Sequence, residues 1–186
     1  MVYYSSKHSR HIRHIRRLVT VIALQIIDVG NFMTKLLCSE LFDSFQFMEG
    51  TLQNRITYNF HGHLVADFYS PDELEAEGLS GLSYLPFSLL RPTLFDLIKG
   101  KRTPGYFKFT FLMQPSDFFS RITEVPASAD TIHSFLLNLR FQNDVLTAST
   151  GVSYQTFSLD KSLEFEWDSY IRTFLKNYQI AFEEIS

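Results

Sequence analysis

Cysteine is nearly absent from this sequence, and no stretch of it is apolar over a length that would cross a bilayer. Cys38 is the only cysteine among 186 residues, so a disulfide within the chain is excluded and a reducing compartment is favoured. The apolar run at residues 18–27 is interrupted by Thr20 and Gln25, and a spanning helix needs about 20 apolar residues. These features predict a cytoplasmic protein with no membrane contact.

Acidic residues are missing from the first 17 positions. This segment holds five basic residues, and it has a histidine at every third position over part of its length: Lys7, Arg10, Arg13, Arg16 and Arg17, with His8, His11 and His14. Together with the apolar run it imitates a secretory signal, but no small-residue cleavage site follows. The positive charge and the lack of a nearby cysteine or carboxylate oppose a metal site. We expect residues 1–20 to form a disordered basic arm and residues 21–186 to form a single domain.

Aromatic residues are abundant, with 19 Phe, nine Tyr and one Trp, whereas Gly and Pro contribute only eight and six residues. A chain of this length buries about 70% of its unfolded surface, so an aromatic core is predicted. Outside the first 17 residues the chain has 12 basic and 20 acidic residues. This acidic balance disfavours nucleic-acid binding over a large surface.

The hydrophobic periodicity predicts an α+β fold. Helical patterns occupy residues 28–37, 71–77, 92–99, 116–123 and 161–177, and strand patterns occupy residues 21–27, 43–49, 51–60, 107–113, 135–142 and 145–157. They do not alternate one for one, which favours an antiparallel-rich sheet of about six strands with helices packed mainly on one face. Gly50 is expected to separate two strands, Gly151 to mark a bulge, and Asn143-Asp144 to form a hairpin turn.

The densest positive charge of the domain lies in residues 99–102, which we call the basic turn. Pro92 predicts a helix start and Gly100 a helix end, so Lys99, Lys101 and Arg102 fall at the negative end of a helix dipole. One interpretation is that these cations only compensate the dipole. The other is an anion-binding site, and the sequence leaves both open.

Other chemical motifs are incomplete. His61-Gly62-His63 could supply two metal ligands, but no third ligand is identifiable. Cys38 ends a helical apolar stripe and is predicted to be a buried core residue, not a nucleophile. Residues 150–153 lack the second glycine of a nucleophile elbow, and residues 95–102 lack the first glycine and the Ser/Thr of a phosphate-binding loop. No catalytic residue, metal site or cofactor is therefore predicted.

Three sequence runs resemble an uncharacterised bacterial family of small proteins with a domain of unknown function. They are DVGNFMTKLLCSELFDSF, FDLIKGKRTPGYFKF and TGVSYQTFSLDKSLEFEWD, in that order and spacing. The resemblance covers about residues 21–183. It implies a bacterial, cytoplasmic, stand-alone domain and assigns no catalytic residue.

Three functional classes remain from the sequence. The first is a non-enzymatic binding or regulatory module that contacts an anionic partner, such as nucleic acid, through the basic turn. The second is an enzyme acting on a small anionic substrate, and the third is an oligomerising scaffold. The absence of a nucleophile–base pair or metal motif favours the first class.

Overall fold

The computed structural model describes residues 18–125, 127–156 and 159–185. Of the predicted disordered arm at residues 1–20, residues 1–17 lie outside the described residues, as do His8, His11 and His14. The remaining three residues, Leu18–Thr20, form the start of a strand. The described helices and strands, in chain order, are β1 (Leu18–Ile26), α1 (Val29–Cys38), β2 (Gln46–Gln53), β3 (Thr57–His61), α2 (Pro71–Ala76), β4 (Leu85–Pro86), α3 (Phe87–Ile98), β5 (Tyr106–Met113), α4 (Pro115–Phe119), β6 (Ile132–Gln142), β7 (Val145–Tyr154), α5 (Ser162–Asn177) and β8 (Phe182–Ile185).

All eight described strands belong to one antiparallel sheet. Its order is β3-β2-β5-β6-β7-β1-β8, and β4 pairs with β2 beyond the end of β3. The α+β class is therefore confirmed, but the predicted number of about six strands is wrong. The two unpredicted strands, β4 and β8, are two and four residues long. Such short segments carry too little alternation to be recognised in a sequence.

One face of the sheet, which we call the aromatic face, carries the core. The strand register places Gly50, Phe109, Leu139, Ala148 and Leu24 in one row across five neighbouring strands. Successive strand residues point to opposite sides. The next row therefore lies on the opposite face, and its side chains are polar: Thr51, Lys108, Arg140, Thr147 and Gln25.

The centre of the core is a cluster of phenylalanine rings around Phe111 of β5. Its ring lies 4.9–6.3 Å from the ring centroids of Phe42, Phe45, Phe47 and Phe87. All five side chains are fully buried. Tilted and edge-to-face pairs of this kind contribute about 0.5–1.5 kcal/mol each beyond the burial of apolar area.

Helix α5 packs through one stripe, as its sequence predicts. Trp167, Ile171, Phe174 and Leu175 are buried. The indole N–H of Trp167 donates a hydrogen bond of 2.9 Å to the carbonyl oxygen of Leu136 in β6. Tyr178 is half exposed, because the helix ends one residue before it.

Both predicted roles for strand glycines are wrong. Gly50 lies inside β2, where an added Cβ would approach the rings of Phe47 and Phe109 to 2.7 Å. It is therefore a site of close packing, not a turn, and the hairpin turn falls at residues 54–56. Gly151 pairs regularly with Leu136, and the irregularity in the pairing lies opposite it in β1, between Thr20 and Ala23. The predicted turn at Asn143-Asp144 is present, with φ angles of 52° and 61°.

Helix α3 begins five residues before the boundary that Pro92 predicts, so this proline lies inside the helix. Arg91, next to it, donates a 3.0 Å hydrogen bond to Asp43 Oδ2 and also donates to the carbonyl oxygen of Ser39. These bonds tie α3 to the segment after α1. The prediction of a buried Cys38 is wrong, because its side chain is exposed at the end of α1.

Candidate functional site

The basic turn follows directly after α3. Helix α3 ends at Ile98, and the Lys99 N–H donates a hydrogen bond of 2.8 Å to the Phe95 carbonyl oxygen. Gly100 follows with φ of +151°, and a Cβ added there would meet no atom within 4 Å. Gly100 does not take the left-handed helical cap conformation that the sequence suggested, since that conformation has φ near +57°.

The three cations of the basic turn have different surroundings. Lys99 forms an ion pair of 2.7 Å with Asp96 one helical turn earlier and lies 5.5 Å from the centre of the Phe95 ring. Lys101 and Arg102 are exposed, and neither has an ion-pair partner among the residues that the structure describes. The dipole-compensating role therefore fits Lys99, whose side chain remains beside the last helical turn.

The structure brings a fourth cation, Arg55, to the basic turn. Arg55 lies in the turn between β2 and β3, and that turn is fixed to α3 by a hydrogen bond of 3.0 Å from Asn54 Nδ2 to the Leu97 carbonyl oxygen. A second bond of the same length joins the Gly105 N–H to the Gln53 carbonyl oxygen. Two chain segments that are about 45 residues apart in the sequence are thereby held against each other.

Between them lies an open cleft of about 840 Å³, which we call the basic cleft. Asn54, Arg55 and Tyr58 line one wall, and residues 96–105 line the other. Four of its lining side chains are cationic and one, Asp96, is anionic. A concave surface with an excess of one charge concentrates ions of the opposite charge. No lining residue is histidine or cysteine. The lining groups that can transfer a proton are Tyr58, Asp96 and the two lysines, and Asp96 is paired with Lys99.

Gly62, between the two histidines of His61-Gly62-His63, lies against the backbone of β2. A Cβ added to Gly62 would lie 1.8 Å from the Phe47 carbonyl oxygen, so only glycine fits. His61 lines a small polar depression together with Glu49 and Lys108, and both histidines line a second, more apolar depression. His63 also packs against Tyr84, with ring centres 5.5 Å apart. In the described ranges, no three potential ligands are grouped in a way that would hold a metal ion.

Two hydrogen-bonded pairs that include a buried carboxyl group lie away from the cleft, between α5 and β7. The Thr150 hydroxyl donates a hydrogen bond of 2.6 Å to Asp168 Oδ1, and its oxygen accepts one of 3.2 Å from the Ile22 N–H. Burial raises the pKa of Asp168, although the Thr150 hydrogen bond and the charge of Arg172 oppose the increase.

One turn earlier on α5, Glu164 Oε1 accepts a hydrogen bond of 2.9 Å from the Tyr154 hydroxyl. Burial, together with this acceptor, raises the pKa of Tyr154. Asp168 and Glu164 are both buried. These groups join α5 to the sheet and are enclosed, so we assign them to the fold and not to a ligand site.

The described residues thus form an α+β fold that carries a cationic surface cleft. The model of a family of unknown function (DUF5721) matches residues 35–183, and the chain therefore belongs to that family. This confirms the family resemblance found in the sequence. No curated protein and no solved structure matches the chain. None of the helices in the described part of the chain has the length and apolar character needed to span a bilayer.

Proposed function

We propose that this protein is a non-enzymatic binding module that holds an anionic partner in the basic cleft. The observation that supports this is the convergence of Arg55 with Lys99, Lys101 and Arg102 from two separate segments. A helix dipole explains a cation in the last turn of the helix, but it does not explain a cation supplied by a distant hairpin. Lys101 and Arg102 lie beyond the last turn, where the dipole effect has declined.

The composition of the cleft supports binding over catalysis. Its polar side chains are four cations, one amide and the hydroxyls of Tyr58 and Thr103, with Asp96 paired to Lys99. Such groups recognise carboxylates or phosphates through charge-assisted hydrogen bonds, and arginine can contact two oxygens at once. The alternative of an enzyme on a small anionic substrate would have to use Tyr58, Asp96 or a cleft lysine for proton transfer, and Asp96 is already paired with Lys99.

The test compares ligand-induced stabilisation in two charge variants. In the first, Arg55, Lys101 and Arg102 are changed to Ala; in the matched control, Lys161, Lys176 and Lys35 are changed to Ala. The probes are inorganic phosphate, polyglutamate and a short single-stranded oligonucleotide. We expect at least one probe to raise the melting temperature of the wild type and the control, and to have no effect on the cleft variant.

The stabilisation should weaken as salt concentration rises, since the binding contacts are exposed and electrostatic. A wild type whose melting temperature does not respond to any probe at low salt would contradict the proposal, as would equal responses in the two variants.

We further propose a bacterial cytoplasmic setting and helices mainly on the aromatic face. The sequence resemblance supports the setting, and the exposed thiol of Cys38 fits a reducing compartment. The ring contacts of Phe118 with Phe135 and of Phe174 with Phe42 and Phe45 support the helix placement. Cell fractionation tests the first point, and slower hydrogen exchange of α5 than of α2 would agree with the second.

A further inference from the structure

Strand β3 forms an open edge of the sheet. Within the described residues it pairs only with β2. The Gly62 N–H donates to the Met48 carbonyl oxygen at 2.9 Å, and the Asn54 N–H donates to the Ile56 carbonyl oxygen at 3.1 Å. Because an antiparallel ladder alternates between bonded and non-bonded pairs, Tyr58 and Phe60 bond to β2. The backbone N–H and C=O groups of Thr57, Asn59 and His61 therefore point away from the sheet.

This edge lacks the features that usually prevent strand addition. Residues 57–61 contain no proline, lysine or acid, and their pairing with β2 has no bulge. The opposite edge, β8, differs because Glu183 and Glu184 lie within its four residues. Glu184 also forms a 2.8 Å ion pair with Arg172 of α5. Charged residues at an edge oppose pairing with another strand, so β8 is protected and β3 is open.

The open edge leads directly into the basic cleft. Arg55 lies two residues before β3, and Tyr58 of β3 lines the cleft. The rings of Tyr58 and Phe60 are stacked, with centroids 6.2 Å apart, and both side chains are only half buried. A strand added along β3 would thus have aromatic surface beside its middle and the cations of the cleft beside one end.

We propose that the anionic partner is an acidic, extended segment of another protein, which adds to β3 as a strand and places its carboxylates in the basic cleft. This inference rests on the proposed anion-binding function and specifies the partner class. Strand addition uses backbone hydrogen bonds for affinity and alternate side chains for specificity. A nucleic acid would use the cations but not the outward backbone groups of β3, and the acidic balance of the domain disfavours a long phosphate chain.

The first experiment measures peptide binding by fluorescence anisotropy. The probe is a fluorescein-labelled peptide with three acidic residues followed by alternating valine and threonine. Its matched control has the same sequence with every second backbone amide of the valine–threonine part methylated. We expect the wild type to bind the unmodified peptide. Its affinity for the methylated peptide should be lower by about tenfold or more, because the methyl groups remove strand hydrogen bonds.

Protein variants test the same contact from the other side. Asn59→Pro removes an outward N–H, and proline is tolerated at an edge strand where that group faces solvent. Asn59→Thr is the matched control, because it removes the same side chain and its hydrogen bond from Thr51 but keeps the N–H. We expect Asn59→Pro to bind the peptide about tenfold more weakly than Asn59→Thr. The methylated peptide provides an independent result if the proline variant is poorly folded.

The outcomes distinguish the partner class from the function itself. If the oligonucleotide or phosphate binds in a cleft-dependent way but the acidic peptide does not, strand addition is wrong and anion binding stands. Equal binding of methylated and unmodified peptides overturns strand addition in the same way. If no anionic probe binds the wild type, both proposals are wrong.

Discussion

Charged side chains have opposite surroundings in two regions of this protein. In the basic cleft, Arg55, Lys101 and Arg102 are exposed and have no described ion-pair partner. Beneath α5, Glu164 and Asp168 are buried, and each accepts a hydrogen bond from a hydroxyl of β7. The buried acids join α5 to the sheet, whereas the exposed cations are accessible to solvent. Stability should therefore depend on the α5 region, and ligand binding should depend on the cleft.

The largest effect is expected from Trp167→Ala in the α5 region. Its indole is fully buried, contacts the rings of Phe118 and Phe135, and donates a hydrogen bond to β6. Removing such a side chain lowers the free energy of unfolding by about 3–5 kcal/mol. Phe165→Ala, at a side chain of the same helix that is 66% exposed, should change it by less than about 0.5 kcal/mol. Denaturant unfolding measures both, and similar losses would show that α5 does not pack as described.

Substitution of Asp168 is expected to have an intermediate effect on the free energy of unfolding, and this effect should depend on pH. Because burial raises the folded-state pKa, folding favours the protonated carboxyl. This contribution to stability is fully present below the unfolded pKa of about 4 and is lost as pH rises through the folded-state pKa. We expect the free energy of unfolding of the wild type to decrease as pH rises through this range. The same decrease should be absent from Asp168→Asn.

At pH 7 the two substitutions of Asp168 should differ. Asp168→Asn keeps an acceptor for the Thr150 hydroxyl and should be at least as stable as the wild type. Asp168→Ala leaves that hydroxyl unpaired and should lose about 1–3 kcal/mol. Glu166→Gln, at an exposed position of the same helix, controls for the loss of a charge. If the free energies of unfolding of Asp168→Asn and the wild type changed with pH in parallel, the raised folded-state pKa of Asp168 would be contradicted.

The smallest effect on stability is expected from the basic cleft. Substituting Lys101 or Arg102 by Ala, without ligand, should change the free energy of unfolding by less than about 0.5 kcal/mol, since exposed charges contribute little. Lys99→Ala should lose slightly more, because Lys99 pairs with Asp96 near the helix end. Thermal unfolding in the absence of anions measures the differences. A loss above about 1 kcal/mol for Lys101 or Arg102 would show that these cations serve the fold.

The elements that the sequence predicted well are those with strong local periodicity. The alternation in β5 and β6, the Asn143-Asp144 turn and the stripe of α5 follow from side-chain spacing alone. Gly50 could not be placed correctly, because its role depends on the rings of Phe47 and Phe109, which meet only in the folded sheet. Pro92 was misleading because proline is typical of a helix start, whereas α3 extends five residues past it toward the N-terminus.

The candidate site was predicted in part. Lys99, Lys101 and Arg102 are close in sequence, so their density was visible. The contribution of Arg55 was not visible in the sequence, because the Asn54–Leu97 and Gly105–Gln53 hydrogen bonds bring it to the cleft in the folded chain. The buried contacts of Glu164 and Asp168 were also missed, since a helix pattern does not show which acids face a threonine or tyrosine on a neighbouring strand. Cys38 was placed in the core because it ends an apolar stripe, but α1 ends there and leaves the thiol exposed.

The position of β1 has a consequence for how the chain folds during synthesis. This first strand lies between β7 and β8, with Ile26 opposite both Leu146 and Phe182. Pairs so distant in sequence give a high contact order, which slows folding because long loops must close before the pairs form. On the ribosome, β1 must wait for most of the domain to emerge, and its apolar residues would be exposed during that interval. Binding by a chaperone while β7 is still being synthesised would shorten this exposure.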